Sequence, residues 1–475
     1  MATRGLCSRA ALGCAALGCA ALGCAALGCA PELRLSEPEG SGAGGGARDG
    51  GVLWARALVG DGERAGPSVA VAGDGTAALL GRLTGSVALD DESVEPVGVE
   101  NVFWARLAPD DGAALGLKRF GAFDPQIVNA LATDVNGDLL VAGEFSGTLD
   151  LGGEQRTSTG GRDGYVARLD PEGRAQWLAP LGGPGLQAAM GVAASADGRI
   201  VVAGRFSGAL RVGAERLESA GGSDVFVASF DPAGGLLWAR RFGDGFDQQA
   251  RAVATDRLGN VMVVGDFAGE LDLGGEPLRS AGDLDVFVAS FDALGGHRWS
   301  KRFGDAGPQR ARAVAVNGAG NVIVGGEFSG TIDLGGGPRT AGEGDAVFVA
   351  ELTGKGEHRF SRSLGEQGAS LGQLLVDGAG NVLLSGGFRG NVQIGGGSLE
   401  SAGGDDVFVA KLDPDGGALW SQRFGGAGAD RATGIAIDPE GRVFVTGAFT
   451  GSVEFGEARL AGGEGADMFV TKLSP

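Results

Sequence analysis

A single period of about 61 residues governs most of this chain. Phenylalanine followed two residues later by glycine occurs at Phe145, Phe206, Phe267, Phe328, Phe388 and Phe449, with Leu83 and Gly85 as a degenerate first copy. The steps between markers are 62, 61, 61, 61, 60 and 61 residues, and residues 49–475 make 427 positions, seven times 61. Such a period means a repeat architecture in which each copy is one supersecondary unit. Residues 234–294 show the parts. Runs at 236–242, 251–256, 261–267 and 286–291 are rich in Val, Ala and Phe and end at turns carrying Gly, Asp or Asn, the signature of strands. Residues 271–278 add a short hairpin. Beyond residue 50 no helical period is long enough to matter.

Four strands per unit and seven units leave a β-propeller or a β-solenoid. The chain ends choose between them. The seventh unit stops at Leu473-Ser474-Pro475, where other units enter a tryptophan strand, and the first begins with the matching Gly50-Gly51-Val52-Leu53-Trp54. A ring can lend its N-terminal strand to its last blade; a solenoid has no reason to balance its ends. We therefore expect an all-β, seven-bladed propeller over 49–475, with residues 52–58 paired beside 468–473 and two sticky edges removed. Composition agrees. The 94 glycines lack a collagen period, proline is only 16, and 43% of residues are apolar, enough for a large core. Strands such as Val-Phe-Val-Ala are apolar on both faces, as strands buried between blades are. Trp54, Trp177, Trp238, Trp299 and Trp420, with Phe360, share one register and are expected to pack between blades.

The stretch from 406–413 (Asp-Val-Phe-Val-Ala-Lys-Leu-Asp) through 419–421, 423–426 and 434–438 to 443–447 (Val-Phe-Val-Thr-Gly) resembles bacterial seven-bladed β-propeller repeats. The resemblance covers nearly all of 49–475, most closely from about 220 on, and departs most in residues 49–110. It implies the fold and an exterior location, and brings no defined catalytic residues.

Residues 1–29 are unlike the rest. Arg4 and Arg9 precede four copies of Ala-Ala-Leu-Gly-Cys ending at Cys14, Cys19, Cys24 and Cys29, a charged start and an apolar run like those of a secretory signal. Ala-Leu-Gly-Cys partly resembles a bacterial lipobox, which makes Cys29 the expected lipidated residue and Cys24 the alternative; plain secretion is the competing reading. Residues 30–48 form a glycine-rich tether. All five cysteines lie in this leader, so the ring is expected to fold without thiols or disulfides.

Reactive side chains are scarce: two histidines and one tyrosine. His297 and His358 occupy matching places in consecutive units and are read as inherited surface residues. The Gly368-to-Gly372 segment fits a nucleophile-elbow pattern but lacks the helix and histidine that pattern needs. No metal or cofactor is expected; calcium on the acidic turns at 134–138, 256–260 and 377–381 is the alternative to simple turn capping. The loops before each inner strand, 243–250, 304–310, 365–372 and 425–431, vary most. They should gather on one ring face, where Asp247, Arg251, Arg310, Arg312, Asp430 and Arg431 are the candidate binding residues. With a net charge of −20, nucleic acid and anionic lipid are poor partners. The expectation is a monomeric, non-catalytic envelope lipoprotein at the outer membrane or cell surface, touching the membrane only through its lipid and binding an envelope protein or polysaccharide. A propeller lyase or hydrolase, or an adhesin, is the alternative.

Overall fold

The computed structural model describes residues 50–62, 66–365, 368–394 and 397–475; the leader with Cys24 and Cys29 and the whole tether lie outside them. Among the described residues every regular element is a strand. Seven inner strands, Ser68–Val71, Gln126–Thr133, Gln187–Ala194, Gln248–Thr255, Gln309–Val316, Ala369–Val376 and Arg431–Ile437, each pack on the next, and the seventh packs on the first. The ring is closed.

Each blade adds three antiparallel strands outward. In the fourth these are Val261–Phe267, Asp285–Phe291 and His297–Phe303. Between the second and third strands a short hairpin projects, Glu270 and Leu271 pairing with Arg279 and Leu278. The seventh blade takes its outer strand from the other end of the chain: Val52–Leu58 runs antiparallel to the last strand, from Val52 opposite Leu473 to Leu58 opposite Met468. This is the closure expected from the chain ends.

The core lies between blades. Seven apolar layers each join the facing sides of two neighbours, and the layer closing the ring unites Leu58, Ala436, Phe444, Met468 and Val470 of the seventh blade with Val69, Leu79, Phe103 and Leu107 of the first. The marker phenylalanines are buried there. Phe267 meets Phe287 edge-on at 6.3 Å, Phe206 meets Phe226 at 6.4 Å, and Phe388 meets Phe408 at 6.4 Å. Such pairs add to the area each ring buries.

The tryptophan column packs between blades as expected. The indole N–H of Trp177 donates to the Pro232 carbonyl at 3.1 Å, Trp238 to Ala293 at 3.2 Å and Trp299 to Gly354 at 2.9 Å, always in the next blade's outer turn. The ring lies on that turn's glycine. Gly295 has φ +79°, and a Cβ there would sit 3.0 Å from Trp238, so both backbone and neighbour demand glycine. The first blade breaks the pattern. Gly116 stands at the tryptophan register and Trp104, from the adjacent strand, fills the space beside it.

Candidate binding site at the channel mouth

Strands alternate in direction outward through a blade. The loops entering each inner strand therefore emerge at the same end of the ring as the short hairpins, and the remaining turns at the opposite end. We call these the upper and lower ends.

The lower turns are self-contained. Asp134 Oδ1 accepts the N–H groups of Asn136 and Asp138 at 2.8 and 3.1 Å, and its other oxygen meets Arg168 at 2.5 Å. Asp256 and Asp377 cap their turns likewise, Asp377 with Lys411 at 3.2 Å. The carboxylates that could have faced calcium are thus turned onto amides and cations. Among the described residues no three or more His, Cys, Asp or Glu cluster with metal-binding geometry.

At the upper end the loops differ in sequence yet share a frame. A buried glutamine opens four inner strands. Gln248 Nε2 donates to Asp244 Oδ1 at 2.5 Å and to the Ala268 carbonyl at 3.1 Å, while Asp244 Oδ2 accepts the Glu270 N–H at 2.7 Å. Gln309 and Asp305 repeat this, with Thr331 in place of Glu270. The loops are pinned to their hairpins.

From the second blade to the seventh, each inner strand carries a β-bulge at one place, around Asn129, Met190, Arg251, Arg312, Gly372 and Thr433. A bulge leaves one residue outside the ladder and turns it away from the sheet. These six, with Ser68 of the first blade, line a cavity of about 180 Å³ bounded by all seven inner strands. This is the central channel, and its bulge column differs in every blade except for the two arginines.

Above it, polar residues of the first two strands form the mouth. In the fourth blade Asp266, fully buried, receives Arg251 Nε at 2.7 Å and Gln249 Nε2 at 2.7 Å. In the fifth, Glu327 receives Arg312 Nη2 at 2.8 Å, and its other oxygen accepts the Leu371 N–H of the next blade at 3.2 Å. The sixth blade has Ser370, Gly372 and Gly387 at the corresponding places, and a notch of about 470 Å³ opens there. Arg312, Arg389 and Arg431 line it from three blades, with Glu327, Asp345 and Asp405. Asp405 is shared, by Arg431 Nη2 at 2.7 Å and Arg389 Nε at 3.1 Å.

The six candidate residues thus separate. Arg312 and Arg431 meet in the notch. Arg251 lies in the channel one blade away. Arg310 is opposite Glu327 in the ladder and has no ion pair of its own among the described residues. Asp247 is exposed and accepts the Ser223 N–H at 2.8 Å, beside a smaller cavity of about 200 Å³ shared with Arg205. Asp430, expected among the binding residues of the loop face, is instead fully buried, in the seventh blade's version of the glutamine column. Its Oδ2 accepts the Gly426 N–H at 2.8 Å, and burial, reinforced by Asp406, pushes its carboxyl up to about 6. Missed by sequence reasoning were Asp266, Glu327, Arg389, Asp405 and the two glycines. Asp266, Glu327 and the glycines lie in strand columns, and Arg389 and Asp405 lie just outside strand ends; only comparison of those positions across all seven units would have singled them out.

The remaining candidates for chemistry have structural places. His297 Nε2 lies 3.1 Å from Ser300 Oγ and His358 Nε2 3.2 Å from Ser361 Oγ, and each ring covers a hairpin glycine. Burial lowers the His297 imidazole below its ordinary value. Ser370 belongs to a strand, so the elbow pattern is fortuitous. Tyr165 replaces the third-strand phenylalanine of the second blade and donates to the Ile127 carbonyl at 3.1 Å; burial raises its phenol far above the ordinary value.

A β-propeller repeat family matches residues 419–448, from the outer strand of the sixth blade into the second strand of the seventh. The chain is a seven-bladed β-propeller, and over those residues its repeat is similar to this family. It is similar to regulatory protein FlaEY of Caulobacter vibrioides, 26% identical over 361 residues, which are 68% of this chain and 36% of that one. It is also similar to an uncharacterized WD repeat-containing protein of Acanthamoeba polyphaga mimivirus, 27% identical over 155 residues, 29% of this chain and 11% of that one. The chain thus spans well under half the length of either relative. Among solved structures, a quinohemoprotein alcohol dehydrogenase from Comamonas testosteroni aligns over 90% of this chain and 76% of its own at 12% identity and a TM-score of 0.44. The distance is too great to transfer chemistry.

Proposed function

We propose that the protein is a non-catalytic binding platform that takes an envelope protein or polysaccharide on the upper end of its ring. In this reading the ring is exported and held at the outer membrane or cell surface by a lipid on Cys29, or on Cys24. The observation that carries it is the division of the repeat into two kinds of column. Packing columns keep one residue in most blades. The bulge column and the columns around the mouth change nearly every time, and they converge at one end, where seven blades present side chains to one ligand. A relative described as a regulatory protein agrees with action through binding.

The test compares the two ends. Asp247→Arg, Arg310→Glu and Arg431→Glu together should abolish retention of envelope components on the immobilised ring while leaving its melting temperature nearly unchanged. Val135→Asp with Leu258→Asp, exposed at the lower end, should leave retention intact. Loss with the lower-end variant alone would put the binding face at the wrong end. Metabolic labelling with a palmitate analogue should mark the wild type and fail with Cys24→Ala and Cys29→Ala combined; an unlabelled wild type free in the medium would remove the anchor.

A further inference from the structure

The notch in the sixth blade, about 470 Å³, exists because side chains are missing. Asp266 and Glu327 fill the corresponding clefts of the fourth and fifth blades, each neutralising an arginine. Gly387 takes their place in the sixth. A Cβ built there would lie 3.0 Å from Arg431 Cγ of the next blade, so the glycine lets that arginine lie across the opening. Around the space stand Arg312, Arg389 and Arg431, with Arg310 opposite Glu327 in the ladder, against Glu327, Asp345 and Asp405. The described lining is balanced, three arginines against three carboxylates, on a chain of net charge −20. Arg389 and Arg431 share one carboxylate and so keep donors free, and a guanidinium presents donors in the planar fork that fits a carboxylate.

The lining also decides what carries that carboxylate. Ser370 and Asp345 offer a hydroxyl and an acceptor, whereas among the described residues no aromatic or large aliphatic side chain lines the space. Peptide partners usually anchor through aromatic and apolar side chains in fitted pockets, which this one does not supply. A ring bearing hydroxyls and one carboxylate suits these groups: its carboxylate meets Arg389 and Arg431, and its hydroxyls donate to Asp345 and Glu327 and accept from Arg312 and Ser370. We propose that the notch is a saccharide subsite for a uronate residue of an acidic polysaccharide. This rests on the binding-platform reading and names the chemistry of its ligand.

Calorimetric titration of the full ring with trigalacturonic acid tests it, with galactotriose and a tri-glutamate peptide as comparison ligands. Trigalacturonic acid should bind, more weakly as salt rises, and neither comparison ligand should. Arg389→Ala with Arg431→Ala should weaken binding by about tenfold or more, given the strength of charge-assisted hydrogen bonds. Gly387→Asp should do the same by restoring the carboxylate that plugs the fourth blade; only a flexible arginine stem has to move, so the melting temperature should hold. Leu258→Asp, exposed at the lower end, should bind as the wild type does. No binding of trigalacturonic acid by the wild type, equal binding by the Gly387→Asp ring, or tighter binding of tri-glutamate would overturn the proposal. If instead an envelope partner is still lost with the upper-end variants while trigalacturonic acid never binds, the platform stands and only the saccharide assignment falls.

Discussion

Burial at a repeated position gives residues here their meaning. Phe267 is fully buried against Phe287 between two blades, so Phe267→Ala should cost about 3–5 kcal/mol, read by chemical denaturation. That column was visible in the sequence because an aromatic recurring about every 61 residues marks one packing position in each unit. Asp430 was not visible, because its neighbours in the loop are polar and only its place in the glutamine column puts it inside. Its carboxyl, raised from an ordinary value near 3.8 to about 6, holds its proton more tightly in the folded than in the unfolded chain. The resulting stabilisation is complete below the ordinary value and is lost as pH rises through about 6. Stability should therefore increase by on the order of 2 kcal/mol between pH 7 and pH 4 from this group. Asp430→Asn should remove that part of the pH dependence; an unchanged profile would mean the carboxyl titrates normally.

Among the elements, the strands were legible and the loops only half so. Val, Phe and Ala runs bounded by glycine turns locate the first three strands of the fourth blade and the outer strand of the third to within a few residues, and the tryptophan register foretold inter-blade packing. The upper loops looked simply variable. Their shared frame depends on Asp244 and Asp305 reaching a glutamine and a hairpin amide at once, a pairing that local sequence does not announce. Asp244→Ala should leave Gln248 and the Glu270 amide without this partner, costing about 1–3 kcal/mol and raising proteolysis within 243–247. A loop that resists protease as before would show the pin to be dispensable. The clasp strand is the element with most at stake. Deleting residues 50–60 would bare one edge of the last strand and remove Trp54 and Leu58 from the closing layers, so the melting temperature should fall sharply.

For the whole molecule, seven apolar layers each shared by two blades make closure a collective property: a gap at any one layer exposes two apolar faces. The arithmetic of the repeats and the unmatched ends carried that conclusion in the sequence. The notch was hidden because its three small residues, Ser370 and Gly372 in the first strand of the sixth blade and Gly387 in the second, are separated in sequence, and the arginines around the space come from three blades. The central claim, a ring closed by its N-terminal strand, can be tested by amide hydrogen exchange across 52–58 and 468–473. Both segments should be protected together, as strongly as the outer strand and its neighbour in the fourth blade, and should be lost in the same global opening. Rapid exchange in 52–58 while the other six outer strands stay protected would contradict closure by that strand.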